Sequence, residues 1–233
     1  MFIAETTFEE AFTKVIQEIW NNPDYITDSR IGDVKEIQSL TYLVNDPTSY
    51  KFENETKGRI DYDYADVFYD WMISGSTDTQ AAFEEYPNVA RFLEKPKNSE
   101  LPNNFNTFYG PRIVAQLPKV LKELKENPNT RRAVISILAS QDLELLDKDE
   151  SLEFPCCDSA TFSIRENRLN LHLHMRSQNM ANVAKLDMYL WGRFQCELSE
   201  QLDVEPGLFT SSIVSAHVFT RDEEYLQSIN ILK

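Results

Sequence analysis

The segment PCCDSATFSIRENRLNLHLHMRSQNMANVAKLD, Pro155–Asp187, decides how this chain folds. Thr161–Ile164 and Leu169–Met175 alternate in the period of strands with one buried face. Glu166-Asn167 stands between them as a two-residue turn, so the pair reads as a hairpin. The segment ends on Asp187, which opens an apolar run to Gln201 with Tyr189, Phe194 and Leu198 at helical spacing. A Pro-Cys-Cys turn, a strand ending in Met-Arg-Ser and a carboxylate at a helix start thus fall within one short stretch.

Beyond Asp187, Ile213–Phe219 reads as a further strand, followed by a short helix from Asp222. Before Pro155, Gln141–Glu153 is an acidic loop and Arg132–Leu138 a buried strand. Ile113–Lys125 forms a helix stopped by Asn127-Pro128. Asn98–Gly110, rich in Asn, Pro and aromatics, is a loop long enough to suggest a binding role. Asp61–Ser74 reads as an aromatic-rich helix ending at Gly75. Arg30–Val44 holds short strand pieces broken by Asn45-Asp46-Pro47, and Asn21–Asp28 is a turn-rich connector. Thr6 or Thr7 caps a first helix to about Trp20, with Ala11, Val15, Ile16 and Ile19 on one face. The pattern is α/β or α+β with no domain boundary, so residues 1–233 are expected to form a single domain.

At 42% hydrophobic and 12% aromatic, 233 residues supply a substantial core. A net charge of -15 repels a phosphate backbone, which argues against direct nucleic-acid binding. No apolar run is long enough for a membrane span. Met1–Glu10 carries acids and lacks the basic start and apolar stretch of a secretory leader. Three cysteines make no disulfide framework, so the cytoplasm is the expected compartment.

Cys156, after proline at a turn, is a candidate nucleophile whose thiolate adds to electron-poor double bonds. Taken alone it also reads as a small buried residue, as do Cys157 and Cys196. Arg131-Arg132 at a strand entry can fork onto phosphate oxygens or simply balance acidic neighbours. Arg176-Ser177 offers a cation and a hydroxyl suited to phosphate, though surface Arg-Ser pairs are common. His172 and His174 share a strand face, where packing is the preferred reading because no third metal ligand is evident. His217 is a single polar residue in an apolar strand, structural or functional. Together, thiol, cation with hydroxyl and carboxylate could attack, hold and discriminate a small anionic heterocycle.

Tyr109-Gly110, Asn127-Pro128-Asn129-Thr130-Arg131-Arg132, Pro155-Cys156, Arg176-Ser177, Asp187 and His217-Val218-Phe219 follow one another in an order, and at a Cys156–Asp187 interval, that resembles thymidylate synthase and its deoxycytidylate hydroxymethylase relatives. The resemblance runs from about Phe108 to Tyr225. It implies a mixed sheet flanked by helices, dimerised through the sheet. It implies a pyrimidine nucleoside monophosphate as substrate and 5,10-methylenetetrahydrofolate as one-carbon donor. Cys156 would add to C6 of the ring, and Tyr109 would help remove the C5 proton. Arg176 and Ser177, with Arg30, would hold the 5′-phosphate. Arg131 and Arg132 would serve the site of the partner subunit. His217 would face the sugar, and Asn179 stands where the family has its pterin-binding aspartate. Asp187 replaces the asparagine with which thymidylate synthases read uracil, and so resembles the cytidylate-specific hydroxymethylases.

Other positions depart from the family pattern. Phe68 takes the place of a glutamate three residues before Trp71, with Asp66 or Asp70 as substitutes only if the alignment shifts. Phe219 replaces a tyrosine, Val183 a glycine, and Cys157 the histidine after the nucleophile. The expected activity is hydroxymethylation of C5 in dCMP or CMP, in the cytoplasm of a bacterium or a virus-infected host cell. An altered base or one-carbon donor on the same scaffold, and a non-catalytic nucleotide-binding paralogue, are the alternatives.

Overall fold

A computed structural model of the chain describes residues 1–29, 31–52, 60–78, 109–147 and 154–232. All seven described strands join one mixed sheet: β1 (Phe2–Glu5), β2 (Tyr25–Thr27), β3 (Val34–Val44), β4 (Val134–Ser136), β5 (Cys157–Arg165), β6 (Arg168–Asn179) and β7 (Glu205–Phe219). The order is β1-β3-β7-β6-β5-β4, with β2 also paired to β3. β6 and β7 run parallel, as do β1 and β3, and the other pairs are antiparallel. The described α-helices are α1 (Phe8–Asn21), α2 (Tyr62–Ser74), α3 (Tyr109–Glu126), α4 (Ala184–Leu202) and α5 (Glu223–Ser228).

Local chemistry accounts for the main boundaries. Thr7 closes a reciprocal cap on α1: Glu10 N donates to its hydroxyl at 3.2 Å, and its own N–H donates to Glu10 Oε2 at 3.0 Å. Asp61 caps α2 and Gly75, at φ 70°, ends it. Glu166 and Asn167 both take positive φ, the backbone that a two-residue hairpin turn requires. Along β6, Leu169, Leu171, Leu173 and Met175 are buried while Asn170, His172 and His174 are not.

Several elements exceed their sequence boundaries. The pieces before Val44 form one strand of eleven residues, and the connector before it contains β2. The expected strand at Arg132–Leu138 shortens to β4. The start of the expected acidic loop winds into a 3₁₀ segment, Ser140–Asp147. α3 begins at Tyr109, α4 at Ala184 and β7 at Glu205. Residues 98–108 of the expected binding loop lie outside the described residues.

α4 joins the parallel strands β6 and β7 and is buried on almost every side, through Leu186, Met188, Tyr189, Leu190, Trp191, Phe194 and Leu198. It packs on β6 and β7, and also meets α1, α2, α3 and the 3₁₀ turn at Pro47–Tyr50. Gln195, fully buried, donates to the backbone carbonyls of Leu169 (2.8 Å) and Leu208 (3.2 Å), beside the register shift between β6 and β7. The alternate sheet face carries Thr41, Ser159, Thr161, His172, His174, Thr210, Ser212 and Val214, each exposed or half-buried.

α2 and α3 touch backbone to backbone at Gly110, where an added Cβ would lie 2.4 Å from the Met72 carbonyl oxygen. Neither backbone can yield without shifting a helix. Gly110→Ala should therefore destabilise the protein by about 2 kcal/mol or more, read as a lowered urea midpoint at unchanged slope.

Candidate active site

The carboxyl ends of the parallel strands β6 and β7 and the first turn of α4 meet at one place, the crevice where open α/β sheets hold their ligands. The start of β5 and the start of α3 close its sides. Each of these termini delivers a polar side chain.

Cys156 stands one residue before β5. Its carbonyl accepts the Arg176 N–H at 2.9 Å, which ties the turn to β6. The Arg176 guanidinium folds back over the same turn. Nε donates to Pro155 O at 2.6 Å, and Nη2 to Phe154 O at 3.2 Å and Cys156 Sγ at 3.8 Å. The cation also lies over the Phe154 ring, 4.8 Å from its centroid. Burial pushes the Cys156 thiol up; the Arg176 charge opposes this, and Asp187 and Asp158 reinforce it. Desolvation wins, so the free protein holds its sulfur mostly as a thiol.

Tyr109 opens α3, and its hydroxyl oxygen accepts the Cys157 N–H at 3.2 Å. Burial raises this phenol well above its ordinary range, so it stays an O–H near neutral pH. Asp187, in the first turn of α4, is 6% exposed. Its Oδ2 accepts from Gln178 Nε2 at 3.1 Å. Burial pushes this carboxyl up to about 7, against the lowering effect of Gln178. The Asp187 charge acts on Cys156, Cys157, Tyr109 and Tyr42. Thiol, phenol and carboxyl therefore share one poorly solvated environment.

Ser177 pairs with Ser215, and Asn179 with His217, across the parallel ladder. Ser177 Oγ lies 3.5 Å from His217 Nδ1, which also lies 3.4 Å from Ser215 O. Burial lowers the His217 pKa, favouring the neutral ring. Asn179 Oδ1 accepts the Asn182 N–H at 3.2 Å, fixing the turn into α4.

Other candidates fall elsewhere. Arg131 and Arg132 are exposed, and Arg132 Nη2 is bound to Glu123 Oε1 at 2.9 Å. Arg30 lies outside the described residues. Phe68 is buried against Trp71. The suggested substitutes for the missing glutamate are committed to a helix–helix network: Asp66 bonds Tyr189 and Arg193, and Asp70 lies 3.9 Å from Arg193. His172 and His174 stack at 4.5 Å on the other sheet face, where His172 Nε2 lies 2.9 Å from Ser212 Oγ. Sequence reasoning missed Gln178 and Tyr42. The burial of Gln178, between half-buried Ser177 and Asn179, breaks the alternation that holds through Met175 and shows only in the fold.

The fold is that of a family of pyrimidine C5 one-carbon transferases. The family model described as thymidylate synthase matches residues 2–230, and the chain belongs to the thymidylate synthase family. A Methanosarcina mazei protein named "Putative thymidylate synthase" is 26% identical over 97% of this chain and 93% of its own length. The like-named Methanococcoides burtonii protein is 24% identical over the same shares. A thymidylate synthase of Mycoplasma genitalium is 27% identical over 51% of this chain and 38% of its own. Members of the family bind a pyrimidine nucleotide, use a folate and are typically dimeric. No helix among the described residues is long and apolar enough to cross a membrane.

If Arg176 is the group that makes the Cys156 thiolate accessible, Arg176→Gln should move the midpoint of the alkylation rate against pH upward. Iodoacetamide labelling of Cys156, read by peptide mass spectrometry, measures it. The rate at pH 8 should fall about threefold to tenfold, while the limiting rate at high pH is kept.

Proposed function

We propose that this chain transfers a one-carbon unit to C5 of a cytidine-type nucleoside monophosphate, dCMP or CMP, and leaves it as a hydroxymethyl group. The observation that carries the reading is Asp187, a buried carboxyl where thymidylate synthases have asparagine, whose pKa burial pushes up to about 7, so that the neutral form dominates below that pH. A neutral carboxyl presents one donor and one acceptor side by side. Cytosine presents the complement, an acceptor at N3 beside a donor amino group. Uracil presents the reverse pair, which a carboxyl held in the cytosine order leaves unmatched.

The residues divide the work as follows. Arg176 Nη1 makes no hydrogen bond among the described residues, so it is the edge that meets a phosphate oxygen, with Ser177 beside it. The Cys156 thiolate forms a bond to C6, and the C5–C6 π pair moves onto C5, which becomes nucleophilic. The bound folate supplies a one-carbon unit at the oxidation level of formaldehyde. Once C5 carries that unit, loss of the C5 proton releases the carrier amine and leaves an exocyclic methylene on a ring still bound to Cys156. Water adds to that methylene and loses a proton, and the electron pair returned to the ring expels the Cys156 thiolate to give the 5-hydroxymethyl product. Tyr109, held as an O–H beside Cys157, serves proton movement at C5. The pterin position fits a folate through Asn179: its carbonyl oxygen is held by Asn182, which leaves the amide N–H groups as donors to a pterin carbonyl.

Homodimerisation through the open sheet face completes this reading, with Arg131 and Arg132 serving the partner's phosphate. Both arginines are exposed, and Val214, on the central strand β7, is 60% exposed on a face that no described helix covers. Val214→Glu should shift the species seen by sedimentation velocity from dimer to monomer.

Tritium release from C5-labelled dCMP or CMP tests the chemistry. It should require methylenetetrahydrofolate, exceed release from dUMP, and fall about a thousandfold or more in Cys156→Ala. Asp187→Asn should swing the preference toward dUMP by about fivefold to a hundredfold. Release that needs no folate would point instead to an altered donor, and no release from any pyrimidine to a binding paralogue.

A further inference from the structure

The Asp187 carboxyl can present its donor and acceptor in two orders, and only one matches cytosine. With the proton on one oxygen it complements the cytosine edge. With the proton moved to the other oxygen, or the group turned by half a revolution, it complements uracil. A carboxyl held only by its backbone would interconvert between the two and discriminate poorly.

Gln178 removes that freedom. Its side chain is 1% exposed, its backbone is held in β6 opposite Ala216 of β7, and its Nε2 donates to Asp187 Oδ2 at 3.1 Å. An oxygen that accepts a hydrogen bond is better kept as the carbonyl-type oxygen than as the hydroxyl. We propose that Gln178 is a specificity-determining positioning residue: by fixing Asp187 Oδ2 as an acceptor, it leaves Oδ1 to carry the proton toward N3 of a cytosine ring. Oδ2 has a second lone pair for the base's amino group. The inference rests on the reading of Asp187 as the residue that meets the base, and deepens it.

The groups around Asp187 impose no competing order. The Asp187 charge acts on Tyr42 from β3, Tyr109 from α3 and Cys156 and Cys157 at β5, and Gln178, which also meets the Tyr42 hydroxyl, donates to the Asp187 carboxyl. The Arg176 charge acts on Cys156, Asp158 and His217.

Gln178→Met keeps the length and burial of the side chain and deletes the donor. Titration calorimetry with dCMP and dUMP, in wild type, Gln178→Met, Asp187→Asn and the double variant, gives the test. In wild type the dCMP/dUMP affinity ratio should be high below pH 7 and fall as the Asp187 proton is lost. In Gln178→Met the ratio at pH 6 should drop about tenfold, mostly by gain of dUMP affinity. The midpoint of its pH dependence should rise, because a bond to the anion has been lost. On the Asp187→Asn background the same substitution should leave the ratio unchanged, which a general packing defect would not do. An unaltered ratio and midpoint in folded Gln178→Met overturns the proposal and leaves the role of Asp187 standing. An unaltered ratio in Asp187→Asn, or wild type binding none of dCMP, CMP and dUMP, overturns the underlying reading with it; where CMP is the ligand bound, the ratio is taken as CMP to UMP. Should Gln178→Met fail to fold, ¹⁵N spectra of the wild type decide. The Gln178 side-chain amide should stay protected from exchange in the dCMP complex, and loss of that protection overturns the proposal.

Discussion

Two neighbouring parallel strands cannot be joined by a tight turn, and that constraint organises this molecule. The chain leaving β6 must cross the sheet before it can return as β7, and it does so as α4. A helix in that place has the sheet beneath it, meets α1 and α3, which also pack on the sheet, and is contacted by α2. Its first turn lands beside the strand ends. Asp187, Gln178, Ser177 and His217 are therefore brought together by connectivity, through the register of one strand pair and the phase of one helix.

The same burial that builds the core sets the chemistry. Desolvation raises the Cys156 thiol, the Tyr109 phenol and the Asp187 carboxyl together, and each ionisation would discourage the others. Arg176 is the opposing charge at the sulfur, and it is spent on the Phe154 and Pro155 carbonyls. The free site is thus close to electroneutral, suited to a neutral heterocycle whose charge sits at a remote phosphate.

Much of this was legible in the amino acids, where the signal was local. The Thr7 cap, the Asp61–Gly75 helix and the Glu166-Asn167 turn are short-range chemistry, and the fold bears them out. Extents were harder to read. Pro111 masks the start of α3, although proline is tolerated in a first turn. Pro206-Gly207 looks like a break before β7. The strand nevertheless runs through it: the Leu208 N–H donates to Asn170 Oδ1 at 2.7 Å, and only glycine at 207 leaves room for that oxygen, which would stand 2.3 Å from an added Cβ. Cys156 and Asp187 were visible through family spacing; their common environment required the fold. Gln178 stayed hidden because its partner lies nine residues on, across the turn from strand to helix.

The strap that Arg176 throws across the Cys156 turn bears on how the resting protein survives. Peroxides attack sulfur chiefly as its anion, and burial suppresses that anion here although the Arg176 guanidinium, lying against the sulfur, favours it. Desolvation therefore slows oxidation of the resting sulfur, and the strap works against that protection: the charge that readies the thiol for an electrophile also readies it for an oxidant.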